Sequence, residues 1–217
     1  MELAPDLERV LGPRDVVVVE GADAQTYLHS QVSQDLNGMA SGEQRWTFLL
    51  EPTGKIESLA RVTRVAEERF DLDVDAGFGE ALLARVNRFK IRVDAVTSLG
   101  ETHDVAADEA ARIAAGWPKM GVEIVPGETI PAGTGLTAIA VNFTKGCYPG
   151  QELVERMDSR AADAPKSLRR LTVASDTAPG DPIADDGVEV GVVTSVSGTS
   201  ALGWVKRSSD LGTVVQF

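Results

Sequence analysis

The chain of 217 residues is poor in cysteine and histidine, the side chains that form disulfides and supply the soft ligands of metal sites. It has one cysteine, Cys147, and two histidines, His29 and His103, that lie far apart in the sequence. A single cysteine excludes an internal disulfide and is typical of a reducing compartment. With so few nitrogen and sulfur ligands, the sequence predicts no compact metal site of the usual soft-ligand kind within the chain.

Basic charge and long apolar runs are also scarce. The chain carries 21 Lys and Arg against 33 Asp and Glu, which gives a net charge of -12 at pH 7. Surfaces that coat nucleic acid need basic clusters, so we expect no nucleic-acid partner, although a locally basic pocket for a small anion stays open. No window approaches the roughly 18 apolar residues of a membrane span. The acidic start, MELAPDLERVLGPRD, is unlike a secretory signal. We therefore expect a cytoplasmic protein without a membrane partner.

Glycine-rich phosphate loops are missing as well. Neither G-x-G-x-x-G after a strand nor G-x-x-x-x-G-K-[ST] occurs, which argues against a dinucleotide or nucleoside triphosphate site. Alternating short strands and helices up to about residue 160 predict an α+β domain in which a sheet packs on helices. After the polar stretch DSRAADAP, short β-rich runs predict a small antiparallel β-barrel. The predicted domains are residues 1–160 and 165–217.

Local signals in the N-terminal half predict individual elements. The β-branched residues 16–19 predict a buried strand. Asp23 is placed as the N-cap of a helix whose apolar positions recur as far as Leu36, and Gly38 ends it. The turn at Pro52, Thr53 and Gly54 predicts a β-hairpin. The stretch FGEALLARVNRF predicts a further helix, and KIRVDAVTSL predicts the strand that follows it.

The most unusual segment is TKGCYPGQELVERM, residues 144–157. Gly146 and Gly150 permit backbone conformations that strain other residues, and the apolar spacing predicts a helix that begins at or just after Gly150. Cys147 then lies shortly before a helix N-terminus, with Lys145 two residues away. A helix dipole and a cation both stabilise a thiolate, so the pattern favours a reactive cysteine over an inert one. Neither histidine has a local motif that places it as a general base.

The stretch KGCYPGQE, residues 145–152, resembles the K-G-C-[FY]-x-G-Q-E motif of the YgfZ family. These are folate-binding proteins related to the T-protein of the glycine cleavage system, and they support iron–sulfur proteins. Weaker segments resemble the family in the right order, so that the resemblance covers most of the chain: VVVVEGADAQTYLHSQVSQDL, LLEPTGKIESLARV, RFKIRVDAV and ARIAAGWPKMGVEI.

The resemblance implies a T-protein-like folate-binding α+β domain followed by a small C-terminal antiparallel β-barrel. It implies tetrahydrofolate or a derivative as the cofactor, and iron–sulfur client or assembly proteins as partners. The implied function is an accessory factor in assembly or repair of iron–sulfur proteins, in which Cys147 is a reactive thiol assisted by Lys145. A folate-dependent aminomethyl or one-carbon transferase is the alternative, and a plain ligand-binding module is a third. The residues expected to bind the cofactor are Tyr148, Gln151, Glu152, Gln31, Asp35 and Arg92.

Each of these residues also has a structural interpretation that the sequence leaves open. Lys145 either holds the folate tail, favours the thiolate, or is a solvated lysine. Tyr148 either stacks on a ring or fills the core. Gln151 and Glu152 either bond the pterin edge or cap a helix. Gln31 and Asp35 belong either to a cavity wall or to a polar helix face. Arg92 either binds a carboxylate of the ligand or lies on the surface.

Two positions depart from the family pattern. In the aminomethyltransferase branch, the hairpin near Gly54 carries a pair of aspartates that serve the folate-dependent chemistry. Here Glu57, Ser58 and Leu59 occupy that place, which argues against aminomethyl transfer. Gly133 stands where relatives often carry a glutamate, so no ligand contact through that carboxylate is expected.

Overall fold

The computed structural model describes residues 7–159 and 164–217, and its strands form two five-stranded antiparallel sheets. The first sheet has the order β2-β3-β4-β1-β5 and the second the order β10-β6-β9-β8-β7. The strands of the first sheet are β1 (Arg14–Glu20), β2 (Gln44–Leu50), β3 (Ile56–Ala66), β4 (Arg69–Asp75) and β5 (Val96–Leu99). Those of the second are β6 (Lys166–Thr172), β7 (Pro182–Asp185), β8 (Val188–Ser197), β9 (Ser200–Lys206) and β10 (Thr213–Val214).

Helices accompany the first sheet, which confirms the predicted α+β class. The helices are α1 (Leu7–Leu11), α2 (Ala24–Gln31), α3 (Gly79–Asn87), α4 (Glu109–Ala115), α5 (Thr137–Ala140) and α6 (Gln151–Ser159), with a 3-10 turn at Pro131–Gly133. The β-rich C-terminal module is confirmed as one antiparallel sheet, while closure of that sheet into a barrel stays a prediction. The division into residues 1–160 and 165–217 also stays a prediction. The predicted linker falls in part on residues 160–163, which lie outside the described residues.

The core of the first sheet follows from its β-branched and aromatic residues. Val17 and Val19 on β1 are fully buried, and Phe70 and Leu72 on the neighbouring β4 are fully buried as well. Burial of side chains of this size contributes roughly 1.5–3 kcal/mol each. Among the described residues, no helix combines the length and apolar character that a membrane span requires. No described group of three or more His, Cys, Asp and Glu side chains is placed to hold a metal ion.

The first predicted helix is shorter than its apolar pattern indicates. α2 ends at Gln31, and Val32 is extended with φ -110° and ψ 156°, so the predicted extension to Leu36 is wrong. The reason is tertiary: Ser33 N donates to Phe48 O at 3.0 Å, and Ser33 O accepts from Asn142 N at 3.0 Å. These contacts replace the bonds that a continuing helix would make.

The strand predicted from residue 90 is also shorter in the structure, because β5 begins only at Val96. Arg92 has a φ of 56°, in the left-handed region. That conformation is incompatible with an extended strand. The preceding residues therefore form a loop between α3 and the edge of the sheet.

A buried carboxylate fastens the second sheet to the helical layer. Glu123 is fully buried and accepts hydrogen bonds from Arg112 Nη1 at 3.0 Å, Ser195 Oγ at 2.6 Å and Lys119 N at 3.0 Å. Arg112 belongs to α4 and Ser195 to β8. A buried charge is tolerated only when it is paired and hydrogen-bonded, and this cluster satisfies that condition.

Candidate functional site

The segment KGCYPGQE, residues 145–152, leads from the loop after α5 into the first turn of α6. Its side chains differ in exposure. Cys147 is exposed, whereas the neighbouring Tyr148 is 7% exposed and packs into the main core. The helix predicted after Gly150 is confirmed as α6, which begins at Gln151. Of the two alternatives for Tyr148, the structure shows the ring filling the core.

Gly150 marks a point where two loops touch. Its φ is +81°, and a Cβ there would lie 2.4 Å from Glu51 O and 2.9 Å from Gly54 Cα. Gly54, in the β2–β3 turn, has a φ of +86°, and a Cβ on it would lie 2.4 Å from Leu153 Cβ. The start of α6 therefore packs directly on the hairpin. Gly146 differs, because a Cβ on it would meet no atom within 4 Å.

Lys145 points its amine at the C-terminal end of α2. Its Nζ donates to Val32 O at 2.6 Å and to His29 O, and lies 4.9 Å from the centroid of the Tyr148 ring. Carbonyls at a helix C-terminus carry partial negative charge, so an ammonium group stabilises them. Lys145 thus holds the Cys147 segment against the C-terminal end of α2.

Burial lowers the pKa of Lys145 to about 8, although Asp35 and Cys147 oppose the shift. Burial, together with the charge of Lys145, also lowers the pKa of His29. Nδ1 of His29 accepts a hydrogen bond from Leu36 N at 3.3 Å, which requires the unprotonated nitrogen. His29 is therefore neutral at neutral pH, and its 3.3 Å contact with Asp35 is not an ion pair there.

We expect the amine of Lys145 to lose its proton near pH 8, well below an ordinary lysine, because burial disfavours its charged form. Competitive acetylation with a trace of radiolabelled acetic anhydride, read by peptide mapping, measures this directly. Labelling of Lys145 should rise with a midpoint near pH 8, while Nα-acetyl-lysine amide in the same tube should titrate about two units higher. A midpoint equal to that of the reference amine contradicts the buried position of Nζ.

Gln31 lies in a buried polar network next to the hairpin. It is 8% exposed, and its Oε1 accepts from Arg85 Nη1 at 3.2 Å. Arg85 also donates to Leu50 O at 2.9 Å, and its Nε lies 2.5 Å from Glu57 Oε2. Glu57 makes a second ion pair with Arg88 at 2.6 Å. The carboxylate at the place of the aspartate pair is thus engaged by two arginines.

Gln151 and Glu152 occupy the first turn of α6 and bond within that helix. Gln151 Nε2 donates to Glu155 Oε1 at 2.5 Å, and Glu152 pairs with Arg156. Arg92 is exposed on the loop that leads to β5. No hydrogen bond or ion pair among the described residues joins Arg92 to the motif. The structure therefore brings together Lys145, Asp35, Cys147 and Tyr148, places Gln31 in a separate network, and leaves Arg92 apart.

A cavity of about 790 Å³ lies between α6, the turn at residues 131–133, β6 and residues 214–217. None of the residues predicted from the sequence lines it. Much of the wall is apolar, because α6 turns its apolar face toward the cavity and residues from other segments complete it. The main apolar contributors are Phe143, Leu153, Val154, Met157, Val215 and Phe217.

The polar part of this wall includes a buried arginine that the sequence analysis missed. Arg169 is 6% exposed, and its guanidinium donates to Leu211 O at 2.8 Å and Ser167 Oγ at 3.2 Å, but it has no ion pair within the described parts of the chain. Asp158 and Arg207 line the same cavity, but no ion pair joins Arg169 to Asp158, so an anion bound in the cavity would stabilise the buried charge of Arg169. Arg170 is exposed and donates to Ala114 O. The alternation of side chains along a strand predicts that Arg169 and Arg170 point to opposite faces of β6, but it does not predict which of the two faces a cavity.

Comparison with known proteins locates the chain among its relatives. No family model matches it. An uncharacterized protein of Haemophilus influenzae is 31% identical, over 68% of this chain and 67% of that protein. The chain belongs to the family of that protein.

A solved structure shows the fold. The crystal structure of glycine cleavage system aminomethyltransferase T from Bartonella henselae matches with a TM-score of 0.78, over 90% of this chain and 76% of that chain, at 17% sequence identity. The expectation of a T-protein-like fold is confirmed. At this sequence identity the match shows the fold alone. The ligand and the activity must therefore be inferred from the residues of the site.

Proposed function

We propose that the protein is a cytoplasmic, folate-binding accessory factor of the YgfZ family, which supports assembly or repair of iron–sulfur proteins. The observation that carries the proposal is Arg169, a buried guanidinium without an ion pair among the described residues, on the wall of a 790 Å³ cavity in a chain with the T-protein fold. The KGCYPGQE motif adds the family resemblance. The C-terminal sheet is proposed to close as the small barrel that the family implies.

Tetrahydrofolate fits the chemistry of this cavity. Its volume lies within the roughly 300–1,000 Å³ that small-molecule sites occupy. Folates join a flat ring system to a glutamate tail that is anionic at neutral pH. Phe143 and Met157 offer apolar surface to the rings, and Arg169 offers charge-assisted hydrogen bonds to a tail carboxylate. The proposal puts the ligand in a cavity whose wall includes none of the residues that the motif suggested.

The Cys147 thiol has a separate role in this proposal. It is exposed and does not line the cavity, so it is accessible to a protein partner. A single cysteine cannot hold a cluster with this chain's thiols alone, which favours an action on a client protein. In this account the bound folate stabilises the fold around α6, and the thiol meets the client.

A folate-dependent one-carbon transferase is the alternative function, and the T-protein fold favours it. The ion pairing of Glu57 argues against this alternative. Its carboxylate is held by Arg85 and Arg88 in ion pairs, and is therefore not free to act on a folate amine. Turnover of methylene-tetrahydrofolate with an amine donor would establish the alternative in place of the accessory factor.

Titration calorimetry with tetrahydrofolate tests the ligand part of the proposal. Wild type should bind, and Arg169→Met should lose about 10- to 100-fold in affinity, because a charge-assisted hydrogen bond contributes about 1.5–3 kcal/mol. Arg169→Lys should recover part of the loss. Arg170→Met is the matched control: it removes the same charge from the adjacent position and should bind as wild type does. Absence of wild-type binding at about 1 mM ligand, or equal affinity for Arg169→Met, contradicts the site.

A further inference from the structure

The edge strand β5 has unpaired backbone groups on its outer side. In the described part of the chain its one neighbour is β1, and Gly100 N donates to Val16 O at 2.8 Å. Hydrogen-bonded positions alternate along an antiparallel pair, so positions 96, 98 and 100 bond to β1. The N–H and C=O groups of Thr97 and Leu99 therefore point away from the sheet, where a further strand would pair.

A lysine side chain closes one end of this open edge. Lys90 Nζ donates to the carbonyl oxygen of Ala95 at 2.8 Å. Ala95 lies two positions before Thr97, so its carbonyl points to the same outer side. The stretch that is free to pair therefore runs from Thr97 to Leu99. Ser98 and Leu99 are exposed, which shows that no described segment covers this stretch.

Large apolar side chains surround the open stretch. Ile91 is 78% and Val96 72% exposed, and Phe89 and Leu99 are exposed as well. Proteins usually protect an edge strand with charge, proline, a bulge or a covering element. Exposed apolar residues beside an open edge indicate an interaction surface. We call residues 89–101 the β5 edge surface.

Exposed carboxylates stand at both ends of the β5 edge surface. Asp94 N donates to Asp23 Oδ2 at 2.8 Å, and Glu20 lies opposite Val96 in the register with β1. Three carboxylates are thus gathered at the start of the strand, and Glu101 follows its end. All four of these residues are exposed.

The cations of the same region do not balance these carboxylates. Two nearby arginines are each paired with a carboxylate outside this group, Arg88 with Glu57 and Arg69 with Asp71. Lys90 and Arg92 then stand against four carboxylates, so the region is negative, as is the whole chain with its net charge of -12. Such a surface complements a segment with basic residues at both of its ends. A second copy is disfavoured, because its own β5 edge surface would bring the same carboxylates.

We propose that the β5 edge surface binds an extended segment of a partner protein in which basic residues flank a short apolar stretch. The segment adds to the first sheet as a strand. Backbone hydrogen bonds to Thr97 and Leu99 supply the pairing. Val96 and Ile91 offer apolar surface to its central side chains, and the carboxylates attract its basic ends. This inference goes beyond the folate proposal and does not depend on it.

The test uses the full chain and a synthetic peptide in which two lysines stand on each side of alternating valine and threonine. The control peptide has glutamate in place of every lysine. Nuclear magnetic resonance titration of the backbone amides gives both the location of binding and the affinity.

One pair of variants tests the backbone pairing. Thr97→Pro removes the outward N–H and keeps the bonds of β5 to β1. Thr97→Val is its matched control, because both changes remove the hydroxyl contact with Asn87.

A second pair of variants tests the charge. Asp94→Asn combined with Glu101→Gln removes one carboxylate from each end of the strand and keeps the size of both side chains. Glu189→Gln combined with Asp210→Asn is its matched control, because it removes two exposed carboxylates from the C-terminal module instead.

We expect the lysine peptide to shift the amide signals of Thr97 and Leu99 in the wild type more than that of the inward Ser98. Thr97→Pro should weaken binding about tenfold, whereas Thr97→Val should bind as the wild type does. Loss of the carboxylates of Asp94 and Glu101 should weaken binding about threefold or more at low ionic strength, and added salt should remove that difference. The variant of the C-terminal module should bind as the wild type does.

Several results would overturn the proposal. They are the absence of a shift at about 1 mM lysine peptide, equal binding of the glutamate peptide, and equal losses for Thr97→Pro and Thr97→Val. Wild-type affinity of Thr97→Pro, or of the variant that lacks the carboxylates of Asp94 and Glu101, overturns it as well. A concentration-dependent dimer that Thr97→Pro abolishes also contradicts it, because the occupant is then a second copy.

Discussion

Replacing Cys147 by serine is expected to leave tetrahydrofolate binding unchanged and to abolish the support of iron–sulfur enzymes in cells. The thiol is exposed and stands outside the wall of the cavity, so the substitution removes chemistry at the surface without touching the proposed ligand site. Serine keeps the size and polarity of the side chain but is a far weaker nucleophile and metal ligand. The measurement is the activity of a cluster-containing dehydratase in cells that lack the gene and carry the variant.

The controls for this experiment separate the thiol from the fold. Cys147→Ala should behave as Cys147→Ser does in cells, and both should unfold at the wild-type denaturant concentration, because the position is exposed. Arg169→Met should impair cells through lost folate binding with the thiol still present. If both cysteine variants restore the dehydratase as fully as wild type, the thiol has no part in the function.

Replacing Gly150 by alanine is expected to lower the free energy of unfolding by about 2–4 kcal/mol, since a left-handed backbone and an overpacked contact are both penalised. Gly150 has a φ of +81°, and a Cβ would lie 2.4 Å from Glu51 O and 2.8 Å from Leu50 Cβ. The atoms that the new Cβ would meet belong to the backbone and to a buried side chain, which cannot move aside as the end of a surface side chain can. The start of α6 must therefore move off the hairpin. Equilibrium denaturation in urea, read by tryptophan fluorescence, measures the loss.

Gly146 provides the matched control in the same segment. A Cβ there meets no atom within 4 Å, so Gly146→Ala should change the free energy of unfolding by less than about 0.5 kcal/mol. Equal losses for the two substitutions would show that the segment is sensitive to any side chain. In that case the close contact between residue 150 and the hairpin is not the reason that this position requires glycine.

The parts of the fold that the sequence predicted are those that local patterns determine. The β-branched residues of β1 can hardly be accommodated except in a buried strand, and the turn around Gly54 fixes the hairpin of β2 and β3. The start of α6 was predictable for the same reason, because Gly150 precedes an amphipathic run. In each case the determining residues are neighbours in the chain.

The parts that failed depend on contacts between distant segments. α2 stops at Gln31 because Ser33 bonds to Phe48 and Asn142, and no pattern within residues 24–36 contains that information. Lys145 bonds carbonyls at the C-terminal end of α2, more than a hundred residues earlier. The same holds for Arg169, whose place on the cavity wall depends on how the second sheet packs beside α6.

The central claim is that folate occupies the cavity between α6 and the second sheet, apart from the exposed thiol. A crystal structure of the protein grown with tetrahydrofolate tests it most directly. We predict ligand density between α6 and β6, with a tail carboxylate within hydrogen-bonding distance of Arg169 and ring atoms against Phe143 and Met157. Ligand density beside Lys145 and Gln31, or an empty cavity at saturating ligand, would contradict the account.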